Sequence, residues 1–272
     1  MIKVDSLFQK PKRSVQFFTH IELSAASYMK NISIIFLLAS FGVIRAGGPP
    51  WRTDDPIPVE FKHAEIYLFS NGLSDNSGVN GIGPAFEFNY GALPNTQLHL
   101  VLPFAFDRPK LGEKHFGYGD TELGVKYRFI PQTDAIPAVA TFPIAELPTG
   151  NSSENLGNGK AQLYLPIWLQ KDVGNWTICT GGGYWINPGT ENKNWIYTGV
   201  QVQYNFSDDF YLGMEIFHQT PSTNSGNSLT GLHIGGAVTV VESYQVLFSA
   251  DAGNGITPYK HFAYYIGLYH TI

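Results

Sequence analysis

The chain has 272 residues, of which 43% are hydrophobic and 14% aromatic, and it is rich in Gly and Pro (29 and 17). Charged residues make up only 14%, well below the roughly one quarter of an average soluble domain. Beyond residue 46 the balance is 11 Lys/Arg against 20 Asp/Glu, a net charge of −9, which excludes nucleic acid as a partner.

In chain order, the first legible feature is Met29-Lys30-Asn31 followed by the apolar run Ile32–Ile44 and then Arg45-Ala46-Gly47-Gly48. A short positive start, an apolar core and a small residue at the cut describe a secretory signal peptide over residues 29–46. The apolar core is too short to cross a bilayer as a helix, which takes roughly 20 residues. Residues 1–28 form an upstream extension. They are either an extended basic start or a stretch ahead of the true initiator Met29. Residues 47–58, GGPPWRTDDPIP, hold too many prolines for a central strand and read as a periplasmic leader.

Residues 59–272 alternate apolar and polar with a period of two, the signature of β-strands. The pattern predicts about twelve strands, near 60–70, 82–92, 96–106, 118–130, 136–148, 160–171, 176–186, 194–206, 210–219, 231–240, 244–251 and 261–272. Short connections (93–95, 131–135, 172–175, 207–209, 241–243) alternate with longer ones rich in Gly, Ser and Asn (71–81, 107–117, 149–159, 187–193, 220–230, 252–260). That alternation belongs to a transmembrane antiparallel up-and-down β-barrel, with short periplasmic turns and longer outer loops. An even strand count leaves both termini on the short-turn side. The fold class expected is therefore all-β.

Gly117–Ile130 shows the two faces most clearly. Leu123, Val125, Tyr127 and Phe129 form an apolar row; Asp120, Glu122, Lys126 and Arg128 lie on the other. A soluble barrel would turn the apolar row inward. Twelve strands, however, enclose a lumen too wide for single apolar side chains to fill. The apolar rows also end in aromatics, such as Phe106, Phe129, Tyr204 and Tyr244, as interface girdles do. The polar rows are poor in Lys, unlike a solvated surface. The apolar rows are thus expected to face lipid, with every backbone group paired by closure.

Gly117–Phe129, Leu147-Pro148-Thr149-Gly150, Leu163–Leu169 followed by Trp176, Gly181-Gly182-Gly183-Tyr184 and Leu212-Gly213-Met214-Glu215 occur in an order similar to that of a known family. Together with Thr53-Asp54-Asp55-Pro56, they make residues 50–272 resemble the outer-membrane proteins named for the MetA pathway of phenol degradation. The resemblance implies a barrel in the outer membrane of a Gram-negative bacterium, acting as a transporter for aromatic or other hydrophobic compounds. It implies no catalytic residues. The final strand resembles the C-terminal signal that such proteins offer to the barrel-assembly machinery.

The predicted lumen charges are Glu65, Glu87, His99, Asp120, Glu122, Lys126, Arg128, Glu215 and His233. They form either a selectivity constriction or an ion-pair network that braces a filled lumen. Glu87, Lys126 and Arg128 are expected near each other with His99 between them. Trp168, Trp185, Trp195 and Tyr197 are the predicted lumen aromatics, with Trp185 and Trp195 cross-strand partners; they either stack planar solutes or pack the wall. No His has Ser two residues away on one strand face, the spacing a hydroxyl nucleophile and its base would need, so no enzyme is expected and an outer-membrane hydrolase is a minor alternative. Cys179 reads as a buried filler. No metal or cofactor is expected.

The expected function is passive diffusion of small hydrophobic or aromatic solutes through the lumen. The alternative is a structural or surface-interaction barrel with a blocked lumen. The expected partners are outer-membrane lipid, the assembly machinery and the solutes.

Overall fold

The computed structural model describes residues 49–254 and 260–272. The predicted upstream extension, the signal peptide and Gly47-Gly48 lie outside the described residues. Fourteen strand segments follow one another: β1 (Ala64–Ser74), β2 (Gly78–Leu93), β3 (Thr96–Pro109), β4 (His115–Tyr118), β5 (Thr121–Ile130), β6 (Ala138–Thr141), β7 (Ile144–Leu147), β8 (Gln162–Val173), β9 (Trp176–Ile186), β10 (Trp195–Ser207), β11 (Phe210–Gln219), β12 (Leu229–Val241), β13 (Tyr244–Asn254) and β14 (Lys260–Thr271).

β4 and β5 form one wall strand broken at Gly119-Asp120. β6 and β7 form another, broken at Phe142-Pro143, where proline has no N–H to donate to the ladder. The Pro143 carbonyl still accepts from Val125 N at 3.0 Å, so the wall stays sealed. The wall is a closed barrel of twelve antiparallel strands: each pairs with its chain neighbour, β3 pairs β5, and β1 pairs β14.

The exposure of alternate residues fixes which way each row faces. Along β3, Leu98 (47%) and Phe104 (44%) are exposed, while Gln97 (4%), Val101 and Ala105 are buried. Glu215, Gln201 and Gln203, on the polar rows of β11 and β10, are fully buried. A water-soluble protein shows the reverse. Apolar outside and polar inside is the arrangement of a barrel solvated by hydrocarbon.

The tight turns are β2–β3 at 94–95, β8–β9 at 174–175, β10–β11 at 208–209 and β12–β13 at 242–243. Asn95 (φ 61), Gly174 (φ 59) and Ser243 (φ 68) supply the left-handed residue such turns need. Three connections depart most from expectation, the first being the predicted outer loop 107–117, which is only 110–114 because β3 runs to Pro109 and β4 starts at His115. The predicted outer loop 71–81 is only 75–77, because β1 and β2 run on past the expected girdle and Asp75 Oδ1 accepts from Ser77 N and Gly78 N to close the hairpin. The β5–β6 turn is 131–137, longer than predicted, and is held by Lys171 Nζ donating to the Thr133 and Asp134 carbonyls.

An arginine at Leu102, the centre of the outward row of β3, should cost about 2–4 kcal/mol, the midplane penalty for a lipid-facing charge. Urea unfolding in lipid vesicles measures it. A cost near zero, as on a wet surface, would contradict a lipid face.

Candidate functional site: a plugged lumen

The Pro-rich leader is described from Pro49 onward. It enters the lumen. Pro49, Pro50, Pro56 and Pro58 prevent it from pairing as a strand, so its buried amides must find side-chain acceptors. Glu215 Oε2 accepts from Arg52 N at 3.0 Å, and Oε1 accepts from Thr53 N at 2.7 Å. Gln97 Oε1 accepts from Val59 N at 2.9 Å, and Asp55 Oδ1 from Ile57 N at 2.6 Å.

Side chains add to these bonds on several walls. Thr53 Oγ1 donates to Glu215 Oε1 at 2.6 Å, as does the Tyr197 hydroxyl at 2.6 Å. Lys126 Nζ lies 3.0 Å from Asp54 Oδ1 and 3.6 Å from Asp55 Oδ2. The Arg52 guanidinium donates to Asp251 Oδ2 at 3.1 Å and sits 4.5 Å from the centre of the Phe217 ring. Ser249 Oγ donates to the Pro50 carbonyl, and Trp51 meets the His233 ring edge-on at 5.6 Å. Gly199 belongs to this fit, since a Cβ there would collide with Thr53 Oγ1.

Beside Pro49–Arg52 is a cavity of about 440 Å³. Pro49–Arg52 and Asp54 line one end of it; it reaches Leu73 and Asn80 beside the β1–β2 hairpin. One wall is apolar, with Phe69 stacked on Tyr265 at 5.3 Å beside Ile82, Val101 and Phe142. The other groups are ionic: Glu87, Glu122, Asp251, His99 and His233.

The predicted charges divide into three sets. Glu215, His233 and Lys126 hold the leader; His233 Nδ1 lies 3.1 Å from Glu215 Oε2. Glu65, Glu87, His99 and Glu122 line the wall. Glu65 accepts from the Tyr67 and Tyr269 hydroxyls, and His99 Nδ1 is 2.7 Å from Asn89 Oδ1. His99 lies between Glu87 (3.6 Å) and Glu122 (3.7 Å).

Asp120 and Arg128 do neither. Asp120 accepts from Gly150 N and Asn158 N and so clamps the 148–161 loop. Arg128 donates to Asn95 Oδ1 and braces the turn at 94–95. The expected cluster of Glu87, Lys126 and Arg128 around His99 therefore does not form. The leader's two aspartates draw Lys126 away, and Arg128 finds a nearer acceptor.

The predicted aromatics form a packed stripe on the opposite wall. Trp185 and Trp195 are cross-strand partners and stack at 5.2 Å, with Tyr164 continuing the stack at 4.7 Å. Trp168 is buried, and Tyr197 stacks on Phe217 at 6.2 Å. None of these four lines the cavity, whose aromatic surface comes from Trp51, Phe69, Phe142, Tyr264 and Tyr265. Phe69 follows Tyr67 on the inward row of β1 and Tyr265 precedes Tyr269 on that of β14, so the signal was there, and Tyr265 and Tyr269 were legible as candidate lumen rings. The Asp54-Asp55 pair, an acidic complement to Lys126, was the sequence signal for the leader's seat.

No protein family model matches this chain. No curated protein matches it in sequence. Solved structures do share its fold. An outer membrane channel from Pseudomonas putida F1 superposes with a TM-score of 0.66 at 14% identity, over 83% of this chain and 99% of that one. The NanC porin gives 0.52 at 10% identity, over 75% and 98%. The translocator domain of the autotransporter NalP from Neisseria meningitidis gives 0.51 at 9% identity, over 93% and 97%. At these identities the likeness is one of fold: the twelve-stranded wall is of the outer-membrane type. A channel, a porin and a translocator share it, so fold alone does not select the task.

Glu215→Ala should leave the Arg52 and Thr53 amides without acceptors, at about 1–3 kcal/mol each. Their hydrogen exchange should quicken at least about tenfold, by the conversion of about 1.4 kcal/mol per decade. Gly199→Val should do the same by displacing Thr53. Unchanged exchange in both variants would show that the leader is held elsewhere.

Proposed function

We propose that this chain is an outer-membrane channel for small apolar or aromatic solutes, closed at its inner end by its own leader. The observation that carries the reading is how the leader is attached. Among the described residues, Pro49 to Pro58 are held by side chains and add no strand to the sheet; backbone bonds of Lys62 and His63 with Gly91 tie the leader's base to the wall. It can leave without opening one wall hydrogen-bond ladder, and the barrel does not depend on it for closure. The cavity beyond it offers an aromatic wall, Phe69 with Tyr265, suited to planar apolar solutes. Glu87 and Glu122, which pair with no Lys or Arg among the described residues, disfavour anions in that space. The likeness to a solved outer membrane channel is in keeping with this reading.

The family resemblance to the MetA-pathway proteins of phenol degradation belongs to the same proposal. So does the route: secretion by the signal peptide at 29–46, insertion through the assembly machinery by way of the final strand, and residence in outer-membrane lipid. Passive diffusion requires no catalytic group and no cofactor.

A second reading has its own support. The many bonds converging on Glu215 and Lys126 are those of a permanent brace, which would make the barrel structural. Planar-bilayer recordings separate the two. The channel reading expects low or intermittent conductance in the wild type and a several-fold larger, steady conductance after deletion of residues 49–58. Liposomes carrying the deletion should admit phenol faster than a sugar of similar size. A silent deletion variant would leave the structural barrel as the surviving reading.

A further inference from the structure

The outward face of β3 changes character at Arg108. From Leu98 to Phe106 every second residue is apolar and lipid-facing. The same row continues as Arg108 and Lys110, both exposed. Ten residues of strand from Leu98 to Arg108 span about 34 Å, and a tilt of about 40° brings this to about 26 Å across the membrane. That is the height of the apolar band of an outer-membrane barrel, about 25 Å. Arg108 and Lys110 therefore stand at the boundary between acyl chains and headgroups.

Two features set this edge apart. The first is its charge. Beyond residue 46 there are 11 Lys/Arg; three of them, Arg108, Lys110 and Lys114, fall within seven residues, with Glu113 the one acid among them. No carboxylate pairs with any of the three among the described residues; the same holds of Lys62, Lys160 and Lys193, which stand apart from one another, so what distinguishes these three is that they share one edge. The adjacent Asp107 is engaged by Asn155 Nδ2. In a chain with so few cations, three clustered at one edge make a local positive field suited to an anion from outside.

The second feature is the surface beneath. Phe104 stacks on Phe116 at 5.7 Å and meets Tyr118 edge-on, while the Arg108 guanidinium lies 5.6 Å from the centre of the Phe106 ring. Leu111, at the hairpin tip between the cations, is 91% exposed. Cations above an aromatic platform with an apolar tip match an anionic headgroup carried on acyl chains. A soluble anion would have no use for the platform.

We propose that the β3–β4 hairpin edge binds the phosphorylated headgroup of an outer-leaflet glycolipid, through Arg108, Lys110 and Lys114, with its acyl chains against Phe104, Phe106 and Phe116. This rests on the outer-membrane reading, with the 110–114 hairpin outside. Each such cation contributes about fivefold to binding an anionic lipid surface.

The test uses full-length protein in detergent micelles, titrated with purified lipid A and read by native mass spectrometry. The triple variant Arg108→Ser, Lys110→Ser, Lys114→Ser should bind it more weakly, by on the order of 100-fold. A Lys160→Ser, Lys193→Ser control, on other loops, should bind as the wild type does, and dephosphorylated lipid A should bind the wild type poorly. Heat-modifiability on gels checks that each variant is folded. Equal affinity in a folded triple variant overturns the proposal, as does full competition by inorganic phosphate at matched phosphorus, which would mark a free-anion site. Labelling of Lys114→Cys on intact cells with a membrane-impermeant maleimide tests the underlying orientation. Labelling without loss of lipid binding sinks the lipid site alone; absence of labelling sinks the orientation and the site together.

Discussion

A backbone that crosses hydrocarbon must satisfy every N–H and C=O within the protein, and a β-structure can do so only by closing on itself. Closure of β3 on β5 and of β1 on β14 is the condition for everything else here. It fixes twelve strands, and twelve strands fix a lumen too wide for a hydrophobic core. The inward rows must then be polar, and buried polar groups must be paired. Glu215, Gln201, Gln203 and Lys126 are buried for that reason, and something has to meet them.

While Gln201 and Gln203 bond to one another and on to Asn205, the leader meets Glu215 and Lys126. It is the complement of the wall: proline keeps it out of the sheet, its amides seek acceptors, and its aspartates seek Lys126. Leader and wall supply each other's partners at Arg52, Thr53, Val59, Glu215 and Lys126, whereas the Trp51 indole N–H and Gln201 Oε1 stay without one among the described residues. Removing either partner leaves buried polar atoms behind, which resists casual opening, yet no wall strand has to part for the leader to leave. Firm seating and clean release are compatible because the attachment is made by side chains.

The barrel was legible in residues 59–272 because lipid and lumen impose opposite chemistries on alternate residues, and that contrast is local. The Trp185–Trp195 pair was legible because a hairpin turn sets its register. The partners of the lumen charges were not. Lys126 had several carboxylates within range of its row, and only the leader's path selects Asp54 and Asp55. Asp120 had the right row and height, but a loop thirty residues on, at Gly150, turns it into a clamp. Loop 71–81 was over-read because its Gly, Ser and Asn residues look like a loop, whereas β1 and β2 simply continue beyond the girdle.

The sequence by itself determined the all-β class, the strand count, the rows that face lipid and the polar character of the lumen. Each follows from period-two patterning, which one strand carries alone. Only the tertiary structure decided what occupies the lumen, which wall lines the cavity and which charges are paired. Those depend on groups far apart in the chain meeting across a barrel. The Pro-rich leader has no period to read, and its place is set by acceptors on strands it never pairs with.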